Sequence, residues 1–108
     1  MELRNDNFEE EVLEEEGPVF VDFWGSWCLA CQQMKPLVKK LKEEIGGKVK
    51  VCYLNIDKNS KVADRFEVEE TPTHILFLEG EPVEREVAAK TPEQLKEMIG
   101  KHVDLDGK

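Results

Sequence analysis

The stretch that most constrains this chain is Val19-Phe20-Val21-Asp22-Phe23-Trp24-Gly25-Ser26-Trp27-Cys28-Leu29-Ala30-Cys31. Val19 to Trp24 is apolar except for Asp22, as befits a strand buried on both faces. Gly25 and Ser26 then let the chain turn. Beyond the turn, Met34, Leu37, Val38, Leu41 and Ile45 fall at the spacing of an amphipathic helix. The pattern therefore places Cys28 at the first turn of a helix and Cys31 one turn on, on the same face.

That placement has chemical consequences. The thiolate is the reactive form of cysteine. Unpaired N–H groups and the macrodipole at a helix start stabilise an anion. Cys28 is thus the expected nucleophile. The two sulfurs can close a small disulfide ring and cycle between dithiol and disulfide. The competing reading is half of a zinc site. Structural zinc takes four ligands and usually two such cysteine pairs. No second C-x-x-C exists, and His74 and His102 stand far off in sequence. No metal and no cofactor is expected.

The rest of the chain reads as alternating strands and helices. Leu3-Arg4 suits a short edge strand, and Asn5 or Asp6 could cap a first helix with Phe8, Val12 and Leu13 on its apolar face. Gly17-Pro18 ends it, and the organising strand follows over 18–24. The long helix is expected over 28–46, kinked at Pro36. Lys48 to Ile56 alternates as a strand, Ser60 to Phe66 suits a short helix, and Ile75 to Leu78 is apolar. Glu79-Gly80-Glu81-Pro82 is a turn into a hairpin strand over 83–88. Thr91-Pro92-Glu93-Gln94 has capping-box spacing with proline at the first helical position, and Leu95, Met98 and Ile99 face inward. The order β-α-β-α-β-α-β-β-α implies an α/β fold. A mixed central sheet carries helices on both faces, with parallel strands early and an antiparallel hairpin late.

Several of these stretches together resemble the thioredoxin family. They are Val21-Asp22-Phe23-Trp24, Trp27-Cys28, Cys31, Pro36, Asn55-Ile56-Asp57, Thr71-Pro72-Thr73 and Gly80, and the likeness runs from about Leu3 to His102. The resemblance implies the thioredoxin fold and a thiol–disulfide oxidoreductase that reduces protein disulfides. Cys28 would attack the partner disulfide, and Cys31 would then resolve the mixed disulfide. Asp22 would accept the Cys31 proton. Burial disfavours the ionised form of a carboxyl, which fits a shuttle near neutral pH. Pro72 would be cis, and Thr71 would offer its backbone to an extended substrate segment. Trp27 would form an apolar rim beside the nucleophile, Trp24 would pack in the core, and Gly80 would shape the substrate groove, a turn glycine being the equal alternative. A thioredoxin reductase-type donor would recharge the pair.

Composition bounds the reading. At 108 residues the chain is read as one domain over 1–108, long enough to bury a core without disulfide staples. The formal charge of −9 argues against nucleic acid, whose phosphates would repel it. No apolar run reaches the roughly 18 residues of a membrane span, and Met1 to Asp6 lacks the basic and apolar regions of a secretion signal. The expectation is a cytoplasmic, soluble monomer with no membrane partner. Cys52 reads as a small core hydrophobe. His74 reads as a packed strand histidine without an assigned role.

The chain departs from the family pattern at named positions. Leu29-Ala30 stands where Gly-Pro is typical between the cysteines. For this couple about 30 mV corresponds to about 1.4 kcal/mol, so the dipeptide matters. Gln32 and Tyr53 stand where lysines are common, and Ala88 where a glycine often lines the substrate groove. These departures motivate the alternative of a specialised relative with a dedicated partner or a more oxidising couple. A non-catalytic binding or thiol-metal module is the alternative outside redox chemistry.

Overall fold

A computed structural model describes residues 1–106. Its centre is the strand β2 (Val19–Trp24), flanked by β3 (Lys50–Asn55) and β4 (Thr73–Leu78). The outer strands are β1 (Glu2–Leu3) and β5 (Glu81–Val87), giving the order β1-β3-β2-β4-β5. β1 and β2 run parallel to β3, whereas β4 is antiparallel to β2 and to β5. This is the mixed sheet that the alternation of elements predicts, and it has the thioredoxin fold.

Both faces of β2 are closed. Val19, Val21 and Phe23 face a core built with Phe8, Val12, Leu54, Val62 and Phe77. Phe20 faces a second core with Met34, Val38 and Leu41 of helix α1 (Leu29–Ile45) and Leu95, Met98 and Ile99 of helix α3 (Pro92–Gly100). Helix α2 (Ser60–Arg65) covers the first face through Val62 and Ala63. Burying a large aliphatic or aromatic side chain contributes about 1.5–3 kcal/mol, so a strand closed on both sides is a rigid base for what projects from its end.

The expected boundaries hold to within a few residues, with two corrections. The first helical segment is a π-helix, Glu9–Leu13, and no side chain caps it. Asn5 instead spans to α2: its Oδ1 accepts the Val62 N–H at 3.2 Å, and its own N–H reaches Asn59 Oδ1 at 3.0 Å. A cap expected locally is thus spent on a helix more than fifty residues away. Helix α1, with Pro36 inside it, runs to Ile45 as the sequence suggests. Trp24 is only half buried and belongs to neither core, because its indole N–H is drawn out to Glu2 Oε2 at 3.0 Å.

Candidate active site at the start of helix α1

The site forms where β2 gives way to α1. Asn55, at the end of the neighbouring strand, organises the turn. Its side-chain oxygen accepts the N–H groups of Asp57 and Lys58, and its amide donates to Ser26 Oγ at 3.1 Å. Asp57 in turn accepts the Ser26 N–H at 2.8 Å. Gly25 lets this turn pack close to the site loop, where a Cβ would lie a tight 3.3 Å from Thr71 Oγ1. In the sequence Asn55-Ile56-Asp57 carries no more than a likeness to the family. Its signal was two short polar residues at a strand end, the type that bonds to nearby backbone.

This turn delivers Cys28 to the N-cap of α1, with extended backbone. Its Sγ accepts the Cys31 N–H at 3.0 Å, so one of the unpaired donors of the helix start points at the sulfur. The Cys28 and Cys31 Cα atoms are 5.2 Å apart and the residues are joined by a disulfide. The two sulfurs differ in access: Cys31 is 2% exposed, whereas Cys28 is part-exposed. The outer sulfur is therefore the one a partner can reach.

Thr71 comes to the same place from the loop before β4. Its carbonyl oxygen lies 3.5 Å from Cys28 Sγ, and the Thr71–Pro72 peptide is cis. Ala88 closes the loop from the end of β5 by donating its N–H to the Pro72 carbonyl at 2.8 Å. Trp27 is 98% exposed and Leu29 is 70% exposed, an apolar pair flanking Cys28. Gly80 is not brought here. It lies in the β4–β5 turn, beyond the far end of a six-residue strand roughly 17 Å long that starts at Thr73. There its φ is +80°, and a Cβ would fall on the Leu13 carbonyl oxygen. Its glycine serves a close backbone approach, and the groove-shaping expectation does not fit its position.

Behind the disulfide lies a groove of about 730 Å³ whose lining includes Asp22, Cys31, Trp24, Lys35 and Tyr53. Asp22 is 2% exposed. Burial, reinforced by the Asp22 and Glu2 carboxylates and by Cys52, pushes the Tyr53 hydroxyl up from its ordinary value. Lys35 lies over the Trp24 ring, its Nζ 4.9 Å from the centroid. Among the described residues no three His, Cys, Asp or Glu side chains form a metal-holding cluster, and no helix is long and apolar enough to cross a membrane.

A part-exposed cysteine at a helix N-cap, closed by a disulfide onto a buried second cysteine in this fold, defines a thiol–disulfide oxidoreductase. The thioredoxin family model matches residues 1–101. A thioredoxin of Rickettsia felis is 34% identical over 101 residues, covering 94% of this chain and 96% of that protein. One of Staphylococcus haemolyticus is 35% identical over 103 residues, covering 95% and 97%. Thioredoxin 1 of a Nostoc species is 33% identical over 102 residues, covering 94% and 95%. The chain belongs to the thioredoxin family, and its chemistry is reduction of protein disulfides through a redox-active cysteine pair.

Proposed function

We propose that this protein is a general reductase of cytoplasmic protein disulfides, acting as a one-domain monomer recharged by a thioredoxin reductase-type donor. The observation that carries the reading is the asymmetry of the pair: Cys28 is reachable at the helix N-cap, and Cys31 is buried behind it. The Cys28 thiolate attacks a partner disulfide, forms a mixed disulfide and expels one partner thiolate. Cys31 then loses its proton to Asp22, which shares its groove, and attacks Cys28 Sγ. The Cys28–partner bond breaks, the second partner thiolate leaves with the electron pair, and Cys28–Cys31 forms. Two electrons pass to the partner. Thr71 pairs with the extended partner segment beside Pro72, and Trp27 gives it an apolar contact.

The test is Cys31→Ser, which is expected to accumulate mixed disulfides through Cys28 that run as high-mass species without reductant. A Cys31→Ser protein that traps nothing from a disulfide-bearing substrate such as insulin would overturn the reading. The specialised alternative draws on the exposed Leu29, which adds bulk next to Cys28. A dithiothreitol titration separates the two. A couple near the roughly −270 mV of reducing thioredoxins supports the general reductase, and a clearly more oxidising one the specialist.

A further inference from the structure

One titratable rung crosses the whole sheet. Glu2 pairs with Tyr53, Tyr53 with Asp22, Asp22 with His74, and His74 with Glu86, one residue from each of the five strands. Directly paired residues share a face. At the rung's centre His74 is fully buried, and its Nδ1 lies 3.3 Å from Asp22 Oδ1. The ring stacks on Phe20 with centroids 5.7 Å apart and planes 17° from parallel.

The contact is close but not aligned for a hydrogen bond. Among the described residues neither ring nitrogen of His74 nor Asp22 Oδ1 has a hydrogen-bond partner. Three unpaired buried polar atoms in one spot are costly for a core to keep. A leucine would fill the His74 position at no such cost. The flanking groups do not satisfy the pair. Tyr53 and Glu2 continue the rung on one side, while Glu86 on the other is held by Lys90 at 3.7 Å. From α1, Cys31 and Lys35 face Asp22 across the groove, with Lys39, Lys42 and Glu43 further along it. From α3, Glu97 and Lys101 lie near Glu86.

We propose that His74 is a positioning residue for the resolving step, its Nδ1–H turning to donate to Asp22 and holding that carboxylate ionised and aimed along the groove toward Cys31. The inference rests on Asp22 being the acceptor of the Cys31 proton. When Cys31 gives up its proton, Asp22 becomes neutral, the His74 ring stays neutral, and the proton later leaves through the groove. His74 moves no electrons and forms no bond. In this sheet the stabilisation of the carboxylate comes from a neighbouring strand, at a position where Tyr53 on the other flank supplies no positive charge.

The test is a single-turnover pH profile. Reduced protein is mixed with excess insulin between pH 5 and 9, acid-quenched, and its oxidised fraction counted by alkylation. His74→Leu is expected to move the acid limb about one pH unit upward, so that turnover on that limb falls by up to about tenfold, the size of a one-unit change in ionised fraction. His74→Asn, which keeps an N–H toward Asp22, is expected to bring most of that back. If Asp22→Asn slows the reaction but His74→Leu leaves the limb in place, the role of His74 is overturned and the Asp22 reading stands. If Asp22→Asn changes nothing, the Asp22 reading itself falls. Should His74→Leu not fold, nitrogen NMR of the wild-type ring decides: an Nδ1 without its proton across pH 6–8 overturns the proposal.

Discussion

Ala88 donates its N–H to the Pro72 carbonyl at 2.8 Å while holding a φ of +78°. A residue with a Cβ is strained in that region. The site loop is thus fastened by an alanine in a conformation that suits glycine. Ala88→Gly is expected to stabilise the protein by about 0.5–1 kcal/mol in urea denaturation. Ala88→Val is expected to cost more than that gain. Unchanged stability in Ala88→Gly would mean that the relieved strain does not exceed the entropy glycine adds to the unfolded chain.

Gly80 makes the opposite case. A Cβ there would sit 2.4 Å from the Leu13 carbonyl oxygen, at positive φ. Gly80→Ala is expected to cost about 2–4 kcal/mol, because both backbone strain and overlap must be relieved. Insulin reduction per folded molecule should not change, since the turn is remote from Cys28. A selective loss of activity without loss of stability would return Gly80 to the substrate groove.

Much of this was legible in the sequence, and the misses share a cause. The two cysteines, the Thr91–Gln94 capping box and the buried β2 strand are local patterns, readable over a few residues. Asn5 capping α2, Trp24 reaching out to Glu2 and Gly80 meeting Leu13 are choices made between distant segments. No window of neighbouring residues contains them. His74 is the sharpest instance: type alone makes it a packed histidine, and only strand register sets it against Asp22.

Asn55 concentrates that kind of long-range work. It accepts two backbone N–H groups and donates to Ser26. Asn55→Ala leaves those donors unpaired and is expected to cost about 1–3 kcal/mol. It should also slow attack by Cys28, because the turn presenting the helix start loses its anchor. Thermal denaturation reads the first effect and the rate of Cys28 alkylation the second.

Burial pushes the Cys52 thiol up, against the opposing pull of the N-terminal ammonium and Lys50. The folded state then keeps its proton over a window above the ordinary thiol value of about 8.5, where the unfolded chain has lost it. The stability this contributes is complete below that value and declines as pH rises through the folded one. Cys52→Ala should flatten that decline. In the reduced wild type, iodoacetamide should label Cys28 first and leave Cys52 untouched until the protein is unfolded.

Lys50 is likewise raised from its ordinary value. Burial alone would lower it, but the hydrogen bonds from its Nζ to Glu11 at 2.7 Å and Glu15 at 3.2 Å raise it overall. A raised lysine stabilises the fold fully below its unfolded value of about 10.4, and that contribution fades as pH climbs through the folded one. Lys50→Met should therefore lose stability at pH 8 and converge with wild type in strong alkali. A double-mutant cycle with Glu11→Gln should return a coupling of about 1 kcal/mol or less for a partly exposed pair.

The two rims of the sheet are built to be unattractive. On one side β1 is a strand of only two residues, and on the other β5 carries Glu81, Pro82, Glu84, Arg85 and Glu86. A short strand, a proline and a row of charges are how sheets decline to lengthen into a neighbour's. Both borders of the sheet are thereby closed to a further strand, so the protein can be concentrated without its own sheets joining edge to edge.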